Sequence, residues 1–178
     1  MNSGNSAGLE HDAGLEHDRE LVLVGTVVRL LFTPLAGGRD IALLVGRVLL
    51  GVVLMAHGYE KFFQWGLGGT SARFTQLGVP MPGPSALYAA GVELLGGGLL
   101  IVGAATTLVS ALVVLDMIGA AIFSRAVFNG IRLLPGQQGW ELNGTILAMA
   151  AALLVFGAGR YGIDHLVRHG VAARAASR

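Results

Sequence analysis

The chain has no cysteine. Disulfides, thiol redox cycling and cysteine-ligated iron–sulfur clusters are therefore excluded. Charge is scarce too: 13% of residues are Asp, Glu, Lys or Arg, against about a quarter in a soluble domain. The formal net charge is only +1, which supplies no field for gathering nucleic acid. Proline is rare apart from the run Pro80-Met81-Pro82-Gly83-Pro84, which cannot lie inside a helix. What is abundant is apolar surface: 53% of the 178 residues are hydrophobic and the mean hydropathy is +0.66. This composition predicts an integral membrane protein, and four spans of about 20 residues would use roughly half the chain.

A tandem repeat opens the sequence, Ala7-Gly8-Leu9-Glu10-His11-Asp12 and then Ala13-Gly14-Leu15-Glu16-His17-Asp18. Two polar copies cannot build a stacked repeat fold, so residues 1–20 read as a disordered tail. Leu21 to Phe32 is apolar except for Thr26 and Arg29. As a helix it covers only ~18 Å, too short to cross a bilayer, so residues 21–40 read as an amphipathic segment lying on the membrane surface. Ile41–Phe63 is the first expected span, with a loop after it over Gln64–Pro84. The forty residues Ser85–Ser124 carry two charges, Glu93 and Asp116. One helix of that length would reach ~60 Å, twice the hydrocarbon thickness. They must fold into a hairpin of spans two and three, turning at Gly103-Ala104-Ala105-Thr106-Thr107. After a polar loop, Arg125–Gly139, the uncharged stretch Leu142–Ala158 is span four, with Gly144, Ala148 and Ala152 at a spacing that admits a close neighbour. Residues 167–178 form a basic C-terminal tail.

The expected fold is thus an all-α membrane protein: a four-span up-down bundle over residues 41–166, preceded by an interfacial helix. Seven arginines (19, 29, 39, 160, 168, 174 and 178) would fall on the side of the termini. Lys61, Arg73, Arg125 and Arg132 fall on the other, which predicts both termini in the cytoplasm. Trp65, Trp140, Tyr59, Phe62 and Phe63 would form the aromatic belt of the outer interface.

Ionisable groups within a span are costly unless paired or hydrated, so each marks a candidate. At ~1.5 Å per residue, Arg47 lies ~9 Å and Asp116 ~15 Å from the inner edge, which suggests a structural Arg47–Asp116 pair. His57, Lys61, Glu93 and Glu141 form a second group towards the outer edge. His57 and Lys61, four apart, are expected to share a helix face. Glu93 is the strongest functional candidate, since a lone carboxylate ~12 Å deep must be paired, protonated or beside a polar cavity. A bis-histidine haem is excluded because only His57 lies in a span. His57-Gly58-Tyr59-Glu60-Lys61 lacks the second histidine of a zincin helix. Gly96-Gly97-Gly98 packs helices rather than phosphate, and no metal site is expected.

Several short blocks, in this order, resemble the DoxX family: Gly46-Arg47-Val48-Leu49-Leu50-Gly51, His57-Gly58-Tyr59-Glu60-Lys61-Phe62, Leu77-Gly78-Val79-Pro80, Gly91-Val92-Glu93-Leu94-Leu95-Gly96-Gly97, Gly139-Trp140-Glu141-Leu142 and Gly157-Ala158-Gly159-Arg160-Tyr161-Gly162-Ile163-Asp164. Many family members carry a histidine where this chain has Ser124-Arg125. The resemblance implies a small four-helix protein of the bacterial inner membrane, linked to oxidative-stress defence and anchoring soluble redox enzymes at its cytoplasmic side. It leaves a homo-oligomer open. The lead reading is an accessory membrane subunit of a redox system that contacts a quinone. In the alternative, the chain is itself a quinone-dependent oxidoreductase, with Glu93 and His57 handling protons and Arg47 or Lys61 binding an anion; Glu141 completes this candidate quinone or anion site. A small-solute carrier is a third, weaker reading, since four short spans offer little for alternating access.

Overall fold

A computed structural model of the chain describes residues 22–26, 37–124 and 141–176. The repeat-bearing tail, most of the expected interfacial segment, the polar loop after span three and Trp140 lie outside the described residues. The chain divides into two compact units, Met1–Gly38 and Arg39–Arg178. In the first, residues 22–26 form a short helical turn. The second carries the long apolar helices and, among the described residues, every buried charge.

Among the described residues every regular element is helical. Helix α1 is Gly38–Tyr59 and continues without a break into a π-helical segment, π1, Glu60–Gln64. Together they make a 27-residue apolar rod. Helix α2 is Gly66–Gln76. Helix α3, Pro82–Gly91, runs through a second π segment, π2, Val92–Gly96, into α4, Gly97–Val102. Helix α5 is Thr106–Phe123, α6 is Glu141–Phe156 and α7 is Ile163–Ala176. Three rods, Gly38–Gln64, Pro82–Val102 and Thr106–Phe123, are long and apolar enough to cross a membrane, and Glu141–Phe156 is a shorter apolar helix. Their outward faces present Leu49, Leu95, Leu108, Leu115 and Val155, a pattern that suits hydrocarbon rather than water.

The buried stripe of α1 is Leu43, Arg47, Leu50, Gly51, Leu54 and Gly58, a repeat that keeps one face against its neighbours. Its glycines allow a close approach to the second rod. A Cβ on Gly51 would strike the carbonyl oxygen of Gly97, and one on Gly58 would strike the backbone of Leu94. The first and second rods therefore touch backbone to backbone, as small residues allow in membranes. Of the small residues Gly144, Ala148 and Ala152, the first and last are half-buried. The buried residues of α6 are Ile146, Ala150 and Leu153, and Ala148 faces outward. The core gathers Leu50, Leu54, Leu100, Val109, Val113, Met117, Ile146 and Leu153.

The hairpin turns where its glycine predicts. Gly103 and Ala105 both take left-handed backbone, φ 70° and 50°. The segment expected as a loop contains α2 instead. Thr70, fully buried, donates from its hydroxyl to the carbonyls of Lys61 and Gly66, which fastens α2 against π1 in spite of its glycines.

Candidate functional site

Buried charge gathers at two levels of the bundle, and the pairing differs from the one read off the sequence. Arg47 does not pair with Asp116. Its side chain is 1% exposed and donates from Nη2 to the carbonyl of Tyr161 at 2.7 Å and from Nη1 to that of Leu100 at 3.4 Å. Gly103 lies so close against the guanidinium that no side chain fits there. Around it the Gly159–Asp164 segment closes the end of the hairpin. Asp164 accepts from the backbone N–H of Ala105 at 2.7 Å and of Thr106 at 2.8 Å, capping α5 with a carboxylate from a distant part of the chain. Its own N–H donates to Gly103. Burial pushes the Asp164 carboxyl up, but the N–H groups of Thr106 and Ala105 and the charge of Arg168 outweigh it and hold it below its ordinary 3.8. Asp40 accepts from the N–H of Arg160 in the same region.

Asp116 sits elsewhere because of hairpin geometry. Glu93 is ten residues before Gly103 and Asp116 ten after Thr106, so both stand ~15 Å from the turn on facing helices. They share a cavity of about 290 Å³ with Lys61. Lys61 Nζ pairs with Glu93 Oε2 at 2.5 Å, and both side chains are largely buried. Phe74, Leu77, Val79 and Pro80 come from α2 and the linker after it. Ser85, Tyr88 and Ala89 come from α3, and Asp116, Gly119, Ala120, Phe123 and Ser124 from α5 and its C-terminal end. Asp116, Ala120 and Ser124, each four residues apart on one helix face, thus form one wall of the cavity. Tyr88 donates its hydroxyl to the carbonyl of Leu112.

Both members of the ion pair lie on π segments. In π1 the N–H of Trp65 reaches the carbonyl of Glu60, five residues back. Such a wide turn carries one extra residue, rotating the helix beyond it by roughly 100°. Lys61 thereby leaves the register of His57 and faces the cavity. His57 is half-buried and close enough to act on Glu93 electrostatically, as is Glu60, but neither lines the cavity. Glu141, at the first residue of α6, is not on the cavity wall either. Of the expected outer group the structure joins Lys61 and Glu93, sets His57 behind them and adds Asp116. Hairpin symmetry was the signal that could have placed Asp116; the capping role of Asp164 has no counterpart in sequence spacing. Near this end Tyr59, Phe63 and Trp65 are exposed, with Arg73 stacked 5.0 Å from the Trp65 ring.

No cluster of metal-ligating side chains occurs among the described residues. The cavity holds two carboxylates and one ammonium, so an anion would meet more repulsion than attraction, and the expected anion site at Arg47 is closed by backbone. A neutral ligand suits the apolar walls.

Long apolar helices with buried charge only on their inward faces define a membrane-embedded helical protein. Residues 42–126 match the DoxX family, a stretch that includes Arg47, Lys61, Glu93 and Asp116. A Bacillus subtilis (strain 168) protein named "Putative oxidoreductase CatD" is 39% identical over 83 residues, covering 47% of this chain and 59% of that protein. The chain therefore matches less than two thirds of that relative's length. No solved structure matches.

Proposed function

We propose that the chain is an integral subunit of a redox system, a four-span bundle of the bacterial inner membrane with both termini cytoplasmic, and that the Lys61–Glu93 cavity contacts a quinone. The observation that carries this reading is a buried ion pair, with Asp116 on the same wall, in a mainly apolar cavity lined in part by aromatic rings. Such a site suits a flat neutral ring better than a structural role, since an ion pair kept only for packing needs no cavity beside it. Lys61 donates one ammonium N–H to Glu93 and has two more to offer a ligand oxygen. Glu93 holds Lys61 in place, and Phe74, Leu77 and Phe123 exclude water. When bound, a quinone supplies two-electron, two-proton carrier chemistry.

The oxidoreductase name of the relative favours a second reading, in which the chain itself turns over a quinone with soluble enzymes as electron donors. In either case α7, whose sequence includes Arg168 and Arg174, is the cytoplasmic element offered to soluble redox partners.

Protein extracted into native lipid discs without detergent should retain a quinone detectable by solvent extraction and mass spectrometry. Glu93→Gln should lose it, and should fail to restore oxidant resistance to a deletion strain while still inserting in the membrane. A quinone-free wild type would remove the quinone from the reading. For topology, a cysteine at Ser71 should label on intact cells with an impermeant reagent and one at Ser177 should not. The reverse pattern would overturn the orientation.

A further inference from the structure

Among the described residues, Asp116 is the one charged group lining the cavity that the ion pair does not absorb. It is 9% exposed, lines the cavity with Lys61 and Glu93, and among the described residues has no hydrogen-bond or salt-bridge partner. Lys61 and Glu93 act on it electrostatically, and the Tyr88 hydroxyl on the adjoining wall is already committed to the carbonyl of Leu112. A buried carboxyl left without a partner is costly whichever protonation state it takes.

The missing partner can be deduced from donor and acceptor counts. An ionised carboxylate only accepts, and an ammonium only donates. While Asp116 is ionised, a single ligand oxygen placed between it and Lys61 must therefore donate to Asp116 and accept from Lys61. A hydroxyl does both, whereas a carbonyl or ether oxygen only accepts. The walls beside these groups are the rings of Phe74, Tyr88 and Phe123, which suit the face or edge of a second ring.

We infer that Asp116 is a specificity-determining residue that makes the cavity select a neutral aromatic ring carrying a phenolic hydroxyl, bridged between Asp116 and Lys61, over the same ring carrying carbonyl oxygens. This rests on the cavity being a ligand site as proposed above, and it specifies which form the site prefers. Glu93 serves as the positioning residue: by accepting one hydrogen bond from the Lys61 ammonium it aims the remaining N–H groups at the ligand.

The test uses full-length protein in lipid discs, kept anaerobic, with duroquinol and duroquinone as probes and calorimetric titration as readout. Wild type should bind duroquinol about tenfold more tightly than duroquinone, the scale of one hydrogen bond to a charged group. Asp116→Asn should bring the two affinities within about twofold of each other, while Asp116→Glu should restore the preference. Equal wild-type affinities would overturn this inference and leave the quinone reading standing. Failure of both probes to bind would overturn both. If Asp116→Asn does not accumulate as folded protein, the wild-type ratio decides alone.

Discussion

The two buried charged regions of this bundle differ in how their charges are satisfied. Arg47 is enclosed by backbone: carbonyls of Leu100 and Tyr161 accept from it, Gly103 presses against it, and Asp164 caps the helix that starts beside it. Lys61, Glu93 and Asp116 face one another across open volume, with side chain satisfying side chain and one acid left over. The first arrangement uses groups that a helix end leaves orphaned in any case and fixes where the hairpin turns. The second satisfies side chain with side chain, so replacing both partners of the pair strands no backbone group. Conspicuous buried charge in a membrane bundle is thus of two kinds, and only the kind that borders a cavity points to a ligand.

Substitutions should separate the regions, with the largest effect at the hairpin. Gly103→Val places a side chain in left-handed backbone and into the Arg47 guanidinium, so folded monomer on size-exclusion chromatography should be lost. Arg47→Met should also be severe, because it strands the carbonyls of Leu100 and Tyr161 at about 1–3 kcal/mol each; a melting temperature equal to wild type would show that Arg47 does not hold this end together.

Lys61→Met should rank next in stability, since removing one partner of a buried pair costs about 3–5 kcal/mol, while the Lys61→Met/Glu93→Leu double variant should recover most of it. If the double variant melts no higher than the single, the pair is not an energetic unit. Both should lose ligand retention, which Arg47→Met at reduced yield should keep.

Asp164→Asn should be milder, about 0.5–2 kcal/mol, the range for loss of a helix cap. Its contribution depends on pH in a defined direction. Because the folded carboxyl titrates below its ordinary 3.8, the stabilisation is fully present above that value and is lost as pH falls through the lower, folded one. Wild type and Asp164→Asn should therefore differ in melting temperature at about pH 6, and the difference should shrink progressively as the pH falls below 3.8. The smallest effect is expected at Glu141→Gln, off the cavity wall, which should retain ligand within about twofold of wild type.

Much of this architecture is legible in the residues. Forty nearly uncharged positions cannot form one span, so a hairpin is required by length, and Gly103 marks its turn. The stripe of Arg47, Gly51, Leu54 and Gly58 is legible as the inward face of the first rod because a straight helix preserves its period. Where the helix is not straight, the reading fails. The extra residue in π1 separates Lys61 from His57, and nothing in Glu60-Lys61-Phe62-Phe63-Gln64 announces a wide turn.

Hydropathy and helical period are local properties, so the residues alone were enough to name the solvent of this protein, its long apolar rods and the short set of ionisable groups buried among them. Which of those groups meet is settled in three dimensions. Arg47 and Asp116 have opposite charge, yet they stand at different levels of the hairpin. Arg47 is satisfied by carbonyls, which every residue possesses and no sequence pattern distinguishes. Asp116 faces Glu93 because two antiparallel rods joined by a tight turn bring equal distances from that turn to the same depth, where Lys61 from a third rod completes the cavity.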